Sequence, residues 1–339
     1  MKLFNVHQWL LISLLTCFGQ FAYSAAPNID HTVSRAWLTQ QANSCNSQLT
    51  EAQVQHGPYH LFVREYQGTE PPIVLMHGFP DNTHLYDRLV PNLCGRHLVL
   101  FDFLGWGSSD KPQGYSYTFA DQKDQLTQVI AQLALRQPLL VAHDASGPAA
   151  INWALDHQRQ TGGLVLLNTF YHLTPSLSAP EAIAIFADLL QLRTGPKPQW
   201  TFSRLSQAIA DDPRMFRWMY YWQVGGFFRD DTVRRYFLPK LYAQFAATPS
   251  SVGPFVSLNH DLGVSIGANT QRTAELSSFG APVRIIFGAD DLSLNTGMAQ
   301  ELHEAFPSSD LFLLPNAGHF VQMDEPQQVA DLILTTPTH

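Results

Sequence analysis

The feature that most constrains the fold is an alternation along the chain between short apolar runs and longer segments with helical spacing. A strand buried on both faces of a parallel sheet is apolar throughout, whereas a helix that covers the sheet is amphipathic. Six runs have the first character, at residues 72–77, 97–101, 139–143, 164–168, 283–287 and 311–314. Residues 119–135 have the second, with Leu126, Val129 and Ile130 on one face. The pattern predicts an α/β fold, a mostly parallel sheet flanked by helices, with antiparallel strands near residues 52–66.

The alternation stops between residues 172 and 276, where the sequence is helical and aromatic. The run MFRWMYYWQVGGFF, residues 215–228, lies at the centre of this segment. Because no further strand pattern appears there, we expect an inserted helical cap at the edge of the sheet where ligands bind. The predicted domains are an N-terminal extension at 25–50, a first part of the core at 51–171, the helical cap at 172–276 and a second part of the core at 277–339.

The N-terminus has the three parts of a secretory signal. An early Lys2 is followed by an apolar run at residues 9–22 and by small residues from Ser24 onward. We expect cleavage after Ser24, which makes residues 1–24 a signal peptide and the mature protein periplasmic or secreted. An uncleaved membrane anchor is the alternative, but a run of roughly 14 residues is shorter than the ~17 to 20 that span a bilayer. Lipid attachment at Cys17 is a second alternative.

Two cysteines, Cys45 and Cys94, remain after the signal is removed. An exported chain can hold them as a disulfide, and two buried free thiols are the alternative. No cysteines or histidines have the spacing of metal ligands, so the sequence predicts neither a metal site nor a cofactor.

Charge and composition indicate which partners to expect. The formal net charge is −8, and the chain has no block of Lys or Arg that would neutralise a run of phosphates. We therefore expect no nucleic-acid partner, and we expect no stable membrane span. The apolar, aromatic cap favours a small hydrophobic substrate, and the sequence carries no signal for an oligomeric state.

An aspartate occupies the sharpest turn that the sequence predicts. In AHDASG, residues 142–147, a strand ends and a helix begins, and small residues stand two positions to either side of Asp144. A nucleophile elbow needs this pattern because its turn lifts one side chain above the sheet. Ser146 lacks such small neighbours, so the pattern does not favour a serine nucleophile. The alternative is that Asp144 only caps the helix that follows it.

Three further motifs follow predicted strands. HGFP, residues 77–80, follows the first long strand, where an oxyanion hole is expected, and FGADD, residues 287–291, ends a later strand with two carboxylates. NAGHFVQMDEP, residues 316–326, places His319 in a loop after the last strand. With Asp144, these motifs give the chain order nucleophile, acid, histidine.

On these motifs the chain resembles the α/β-hydrolase superfamily, and the resemblance covers nearly all of the sequence after residue 52. HGFP together with AHDASG resembles more narrowly the epoxide hydrolase and haloalkane dehalogenase branch, in which an aspartate replaces the serine. The resemblance implies that Asp144 is the nucleophile, His319 the base and Asp291 the acid, with Asp290 as the fallback acid.

The same resemblance extends to other positions. The turn DFLGWGSSDKP, residues 102–112, looks like the superfamily's turn after its fourth strand, and His143 corresponds to a residue with a structural role. Some dehalogenases take their acid from the end of the sixth strand, but Asn168 stands at that place here. The oxyanion hole that the resemblance implies consists of the backbone N–H groups of Phe79 and Ala145.

An aspartate nucleophile restricts the substrate. A carboxylate is already ionised at neutral pH, so it can displace a leaving group from a saturated carbon without help from a base. The product is an alkyl ester of Asp144, which His319 then hydrolyses by activating a water molecule while the oxyanion hole stabilises the charge. Attack on the acyl carbon of an ordinary ester would yield an anhydride, so esterase activity is disfavoured.

The leaving group separates two classes of substrate. An epoxide needs a donor for its ring oxygen, which the resemblance implies is a cap tyrosine. The candidates are Tyr171, Tyr220, Tyr221, Tyr236 and Tyr242. We favour Tyr171 and Tyr242, and packing within the cap is the alternative role of each. A halide instead needs N–H donors, commonly a Trp after the nucleophile and an Asn or Trp near the HG turn, where this chain has Ala145 and Phe79.

The leading hypothesis is an exported hydrolase without a cofactor that converts an epoxide to a diol through an ester on its aspartate. The enzymatic alternative is a haloalkane dehalogenase with an atypical halide site. The alternative from another class is a catalytically degenerate α/β-hydrolase that serves as a binding protein.

Overall fold

One sheet of eight strands organises the protein. The computed structural model describes Cys45 and residues 48–186 and 200–338, and the predicted signal peptide lies outside the described residues. The strands are β1 (Leu49–His56), β2 (Tyr59–Tyr66), β3 (Thr69–Met76), β4 (Arg96–Phe101), β5 (Leu139–Asp144), β6 (Gly163–Thr169), β7 (Val283–Gly288) and β8 (Ser309–Leu314). Their order in the sheet is β1-β2-β4-β3-β5-β6-β7-β8. β2 is antiparallel to β1 and β4, and all other neighbours are parallel.

Helices connect and cover these strands. They are α1 (Phe119–Gln132), α2 (Gly147–Asp156), α3 (Glu181–Phe186), α4 (Trp200–Asp211), α5 (Pro213–Gln223), α6 (Asp231–Ala246), α7 (Val252–Thr270), α8 (Thr273–Leu276), α9 (Thr296–Ala305), α10 (Val321–Asp324) and α11 (Pro326–Leu334). Within the described part of the chain, none of the helices is long and apolar enough to cross a membrane. The mostly parallel sheet of eight strands and the helices that connect them confirm the predicted fold class.

The central strands explain why the apolar runs are continuous. In β3, Ile73, Val74, Leu75 and Met76 are all fully buried, although successive side chains of a strand point to opposite faces. Both faces of the sheet are therefore covered, as a doubly flanked parallel sheet requires. The strand begins earlier than the predicted 72–77, because its polar first residues, from Thr69, extend beside β4.

The helices α3 to α8 all lie between β6 and β7, in the segment where the sequence predicts a cap. In the described residues of this segment, no strand lies between one helix and the next. The division of the chain at residues 172 and 276 stays a prediction.

The two cysteines are joined. Cys45 and Cys94 form a disulfide, which ties the chain before β1 to the turn before β4. Of the two alternatives that the sequence leaves open for these residues, the structure has the disulfide.

Candidate active site

The turn between β5 and α2 is as sharp as the sequence predicts. Asp144 ends β5 with a φ of 49°, in the left-handed region that a non-glycine residue seldom adopts. A Cβ atom added to Gly78 would lie 2.6 Å from the Cβ of Asp144, and one added to Gly147 would collide with the hydroxyl of Thr169. The Ser146 hydroxyl is buried and donates to the carbonyl of Met76, the last residue of β3, at 3.0 Å. Asp144 is therefore the side chain that the turn presents.

Backbone N–H groups hold the Asp144 carboxylate. The N–H of Phe79 donates to its Oδ2 at 2.8 Å, and the N–H of Ala145 donates to the same carboxylate. Burial raises the pKa of Asp144, while His319 and these two donors act in the opposite direction. The predicted oxyanion-hole residues and the predicted nucleophile therefore lie together, with the donors already aimed at the carboxyl group.

His77 fixes the loop that carries Phe79. Its Nδ1–H donates to the carbonyl of Gly78 at 2.7 Å, and its Nε2 accepts the N–H of Phe103 at 3.1 Å. These two bonds define one tautomer of the imidazole, and they anchor the HG turn to the chain that follows β4.

His319 and Asp291 form a buried pair. The Nδ1–H of His319 donates to Oδ2 of Asp291 at 2.8 Å, and Asn168 donates to the same oxygen at 3.0 Å. The N–H groups of Ser293 and Leu294 donate to Oδ1. Burial alone would raise the pKa of Asp291, but His319 and these donors lower it below its usual range. Asn168, which stands where some dehalogenases carry their acid, thus supports the carboxylate after β7.

The charge of His319 reflects three carboxylates. Burial lowers the pKa of an imidazole, but Asp291, followed by Asp144 and Asp81, outweighs burial and raises the pKa of His319 to about 9. Nε2–H of His143 donates to the backbone carbonyl of His319 at 2.9 Å, so His143 supports the histidine loop.

The fallback acid Asp290 has a different partner. Its Oδ2 lies 2.8 Å from Nη2 of Arg229, a residue between α5 and α6. Because Asp291 contacts His319 and Asp290 contacts Arg229, the structure brings together Asp144, His319 and Asp291 and leaves Asp290 aside.

A cavity of about 870 Å³, including the space at its open side, lies over Asp144 and His319. Its wall is mostly apolar and comes from the loops of the core and from α5 and α7. The lining includes Phe79, Ala145, Phe119, Phe170, Met219, Tyr220, Gln223, Val224, Phe227, Phe255, Leu258, Asn259, Leu262 and Ile266. Among the described residues, no group of three or more His, Cys, Asp or Glu side chains is arranged to hold a metal ion.

The two favoured cap donors do not line this cavity. The Tyr171 hydroxyl donates to Oδ1 of Asn152 at 2.9 Å. The ring of Tyr242 packs 5.4 Å from that of Tyr220 and lies beside Arg217. In this structure the contacts of both tyrosines are those of packing, the alternative role that the sequence left open for them. Tyr220, a candidate that was not favoured, is the tyrosine among the five that lines the cavity.

Sequence reasoning missed two buried polar residues near this site. Asp81, directly after HGFP, is 1% exposed, and its Oδ1 has no hydrogen-bond partner. Burial and the charge of Asp144 raise the pKa of Asp81 to about 7. Asn259 interrupts the apolar face of α7, and this break in the spacing is a signal that the sequence offers.

Known proteins match this chain in sequence and fold. The chain belongs to the alpha/beta hydrolase fold family, whose model matches residues 71–326. It is 24% identical over 278 residues to haloalkane dehalogenase 2 of Mycobacterium tuberculosis (strain ATCC 25618 / H37Rv), covering 79% of this chain and 88% of that protein.

Solved structures share the architecture. Haloalkane dehalogenase DatA from Agrobacterium tumefaciens C58 superposes with a TM-score of 0.69 at 18% identity, over 86% of this chain and 97% of its own. An alpha/beta hydrolase fold protein from Burkholderia ambifaria gives a TM-score of 0.68 at 20% identity, over 84% and 96%. The protein is thus a hydrolase of the α/β family with relatives that are haloalkane dehalogenases.

Proposed function

We propose that this hydrolase opens epoxides to diols through an alkyl ester on Asp144. The observation that carries the proposal is the Asp144 carboxylate itself, held by the N–H groups of Phe79 and Ala145 beneath an apolar cavity. A carboxylate in this position can attack a carbon atom directly. His319, hydrogen-bonded to Asp291, is the buried base that would then hydrolyse the ester.

Tyr220 supplies the proton for ring opening. An oxygen of Asp144 forms a bond to a ring carbon, the carbon–oxygen bond of the ring breaks, and the ring oxygen takes the proton of the Tyr220 hydroxyl. Burial raises the pKa of Tyr220 well above its ordinary value of 10.0, so the hydroxyl keeps its proton until the alkoxide forms. Its hydrogen bond to the carbonyl of Pro80 is long, 3.4 Å, which leaves the proton free to change partners.

Ester formation prepares His319 for the second step. The negative charge of Asp144 disappears in the ester, so one of the charges that raise the pKa of His319 is lost and its pKa falls. The neutral imidazole then removes a proton from water, and the water oxygen attacks the ester carbonyl. When the tetrahedral intermediate collapses, the carbon–oxygen bond to the alkoxide breaks, the imidazolium gives its proton to that alkoxide to release the diol, and the Asp144 carboxyl loses its own proton to solvent. The two backbone N–H groups stabilise the oxyanion, and solvent returns the proton of Tyr220.

A haloalkane substrate is the second candidate, and the dehalogenase relatives favour it. The cavity wall argues for the epoxide. Among the described residues that line the cavity, none has an indole N–H, and Phe79 and Ala145 offer only their backbone groups near the nucleophile. A leaving halide would therefore have few donors beyond those already bound to Asp144.

We also propose that the chain is exported and that residues 1–24 are a cleaved signal peptide. The Cys45–Cys94 disulfide supports this location, because disulfides persist in oxidising compartments.

The test of the function is intact-protein mass spectrometry on the His319→Gln variant after exposure to separate panels of epoxides and haloalkanes. Without its base, the protein should keep the ester, so we expect a mass gain equal to the whole epoxide. The matched control, His319→Gln with Asp144→Ala, should gain nothing.

Other outcomes overturn the proposal in distinct ways. A gain equal to the alkyl group without its halogen would replace the epoxide by a haloalkane. Folded protein without any adduct from either panel would favour a binding role, in which case changing His319 would leave ligand binding intact.

A further inference from the structure

One polar side chain interrupts the wall of the cavity formed by α7. Phe255, Leu258, Leu262 and Ile266 recur at helical spacing along this helix and line the cavity. Asn259 lies within the same stripe, lines the same cavity and is 2% exposed. An amide at a position suited to leucine therefore requires a reason.

The hydrogen bonds of Asn259 are only half satisfied. Its Nδ2 donates to the carbonyl of Phe255, one turn back in the same helix, at 2.8 Å. Its Oδ1 has no hydrogen-bond partner. The orientation of the amide follows from this bond, because only the nitrogen can donate to a carbonyl. The atom that remains is an acceptor, and buried acceptors in folded proteins are nearly always paired.

The other polar groups of the wall are engaged differently. Oε1 of Gln223 accepts the N–H of Ala182 at 3.1 Å, and the Tyr220 hydroxyl points to Pro80. In residues 48–186 and 200–338, Oδ1 of Asn259 is the one buried side-chain polar atom of the cavity lining that lacks a partner.

We propose that the substrate carries a neutral hydrogen-bond donor, a hydroxyl group, on its otherwise apolar body, and that Oδ1 of Asn259 accepts it. Asp144 and His319 are the only acidic or basic side chains among the described residues of the wall, and their charges already interact with each other. A charged group of the substrate would therefore find no further partner of opposite charge, whereas a neutral donor fits. This inference rests on the proposed epoxide chemistry, whose substrate class it narrows to hydroxylated epoxides.

The test uses two isomeric substrates. One is a straight-chain terminal epoxide with a primary hydroxyl at its far end, and the other is its isomeric methyl ether, which lacks the donor. Wild-type protein should prefer the hydroxyl isomer by about tenfold in kcat/KM, mainly through KM, since a hydrogen bond of ordinary strength is worth a factor of that order. Asn259→Leu should abolish the preference. Val264→Ala, a change on the exposed side of the same helix, should keep it.

A binding experiment separates this inference from the epoxide chemistry. Hexanol and its isomer methyl pentyl ether have the same heavy atoms, and neither reacts with a carboxylate. We expect hexanol to bind more tightly to wild-type protein and both to bind alike to Asn259→Leu. Equal binding of the two by wild-type protein would overturn the role of Asn259. A hexanol preference in a protein that forms no epoxide adduct would support the donor site and reject the epoxide reaction.

Discussion

At the scale of single residues, Asp81 is the least favourable group near the site. Its carboxyl is fully buried, Oδ1 lacks a partner and the charge of Asp144 is close enough to raise its pKa. Such a carboxyl destabilises the folded protein whenever it is ionised. The same carboxyl also contributes to the raised pKa of His319.

Asp81→Asn should stabilise the protein in a pH-dependent way. Below about pH 4 the carboxyl is protonated in both states, and between about pH 4 and 7 only the unfolded chain loses the proton, so wild-type stability falls as pH rises. With a folded pKa of about 7, the variant should gain about 2–4 kcal/mol at pH 8 and little at pH 4. Urea unfolding at both values measures this difference.

The matched control for Asp81 is Asp124→Asn on the exposed side of α1. It should change the free energy of unfolding equally little at both pH values. An Asp81→Asn variant whose stability relative to wild type does not change with pH would show that the carboxyl is not held protonated in the fold.

The residues that could be predicted from sequence are those fixed by local geometry. Asp144 follows from the small residues around one turn, and His319 and Asp291 follow from loops at the ends of strands. Tyr171 and Tyr242 could not be judged in this way. Whether a hydroxyl faces the cavity depends on how helices distant in sequence pack, which a single chain pattern does not contain.

At the scale of elements, the segment between α5 and α6 contacts the loops that carry the acid and the base. The ring of Phe227 lies 4.4 Å from that of His319, and Arg229 pairs with Asp290, the neighbour of Asp291. The backbone N–H of Arg229 also donates to Asp324, which accepts the N–H of Gly318 at 2.9 Å. The adjacent carboxylates of Asp290 and Asp291 thus have different partners: Asp291 accepts from His319, and Asp290 pairs with Arg229 of this segment.

Breaking the Arg229–Asp290 pair should affect hydrolysis more than folding. The side chains are 24% and 38% exposed, so solvent screening limits the pair to less than about 1 kcal/mol of stability. We expect Arg229→Gln and Asp290→Asn each to slow hydrolysis of the ester about three- to tenfold and the double variant to slow it no further. Rapid-quench mass spectrometry of the ester measures this rate.

The control for this pair is Arg235→Gln, which removes an exposed cation of α6 that pairs with Asp231. It should leave ester hydrolysis unchanged. Additive effects of the two single changes would mean that Arg229 and Asp290 act separately. Partial recovery by the exchange Arg229→Asp with Asp290→Arg would support the pair.

The elements themselves differ in how well sequence predicts them. The central strands were predictable because burial on both faces leaves a continuous apolar run, as in β5 and β6. The bounds of α5 and α7 were not, because no strand pattern lies between the helices of residues 172–276 to mark where each one begins and ends. That Tyr220 on α5 and Asn259 on α7 line one cavity became visible only in three dimensions, although the break in the apolar spacing at Asn259 is present in the sequence.

At the scale of the whole molecule, the disulfide joins residues 49 positions apart. A bond that closes a loop of this size limits the unfolded chain and stabilises the fold by ~4 kcal/mol in the chain-entropy description. Protein made with its signal and exported should begin at Ala25 and react with no thiol reagent. Protein made without the signal in a reducing cytoplasm should be less stable by about that amount, as measured by urea unfolding.

Cys45→Ser with Cys94→Ser is the matched variant for the disulfide. It should unfold at the same urea concentration whether exported or not, and it should form the same epoxide adduct, because neither cysteine lines the cavity. Equal stability of the oxidised and variant proteins would show that the disulfide does not limit the unfolded chain.

The wall of the cavity and its reacting groups come from different parts of the chain. Asp144, Asp291 and His319 lie on loops of the core, whereas α5 and α7 supply much of the surface that meets the substrate. Mutations of the lining residues of α5 and α7 other than Tyr220 should therefore alter which substrates fit while Asp144, Asp291 and His319 keep their places. In evolution, such a chain can change the shape of its cavity through α5 and α7 without disturbing the turns that carry Asp144, Asp291 and His319.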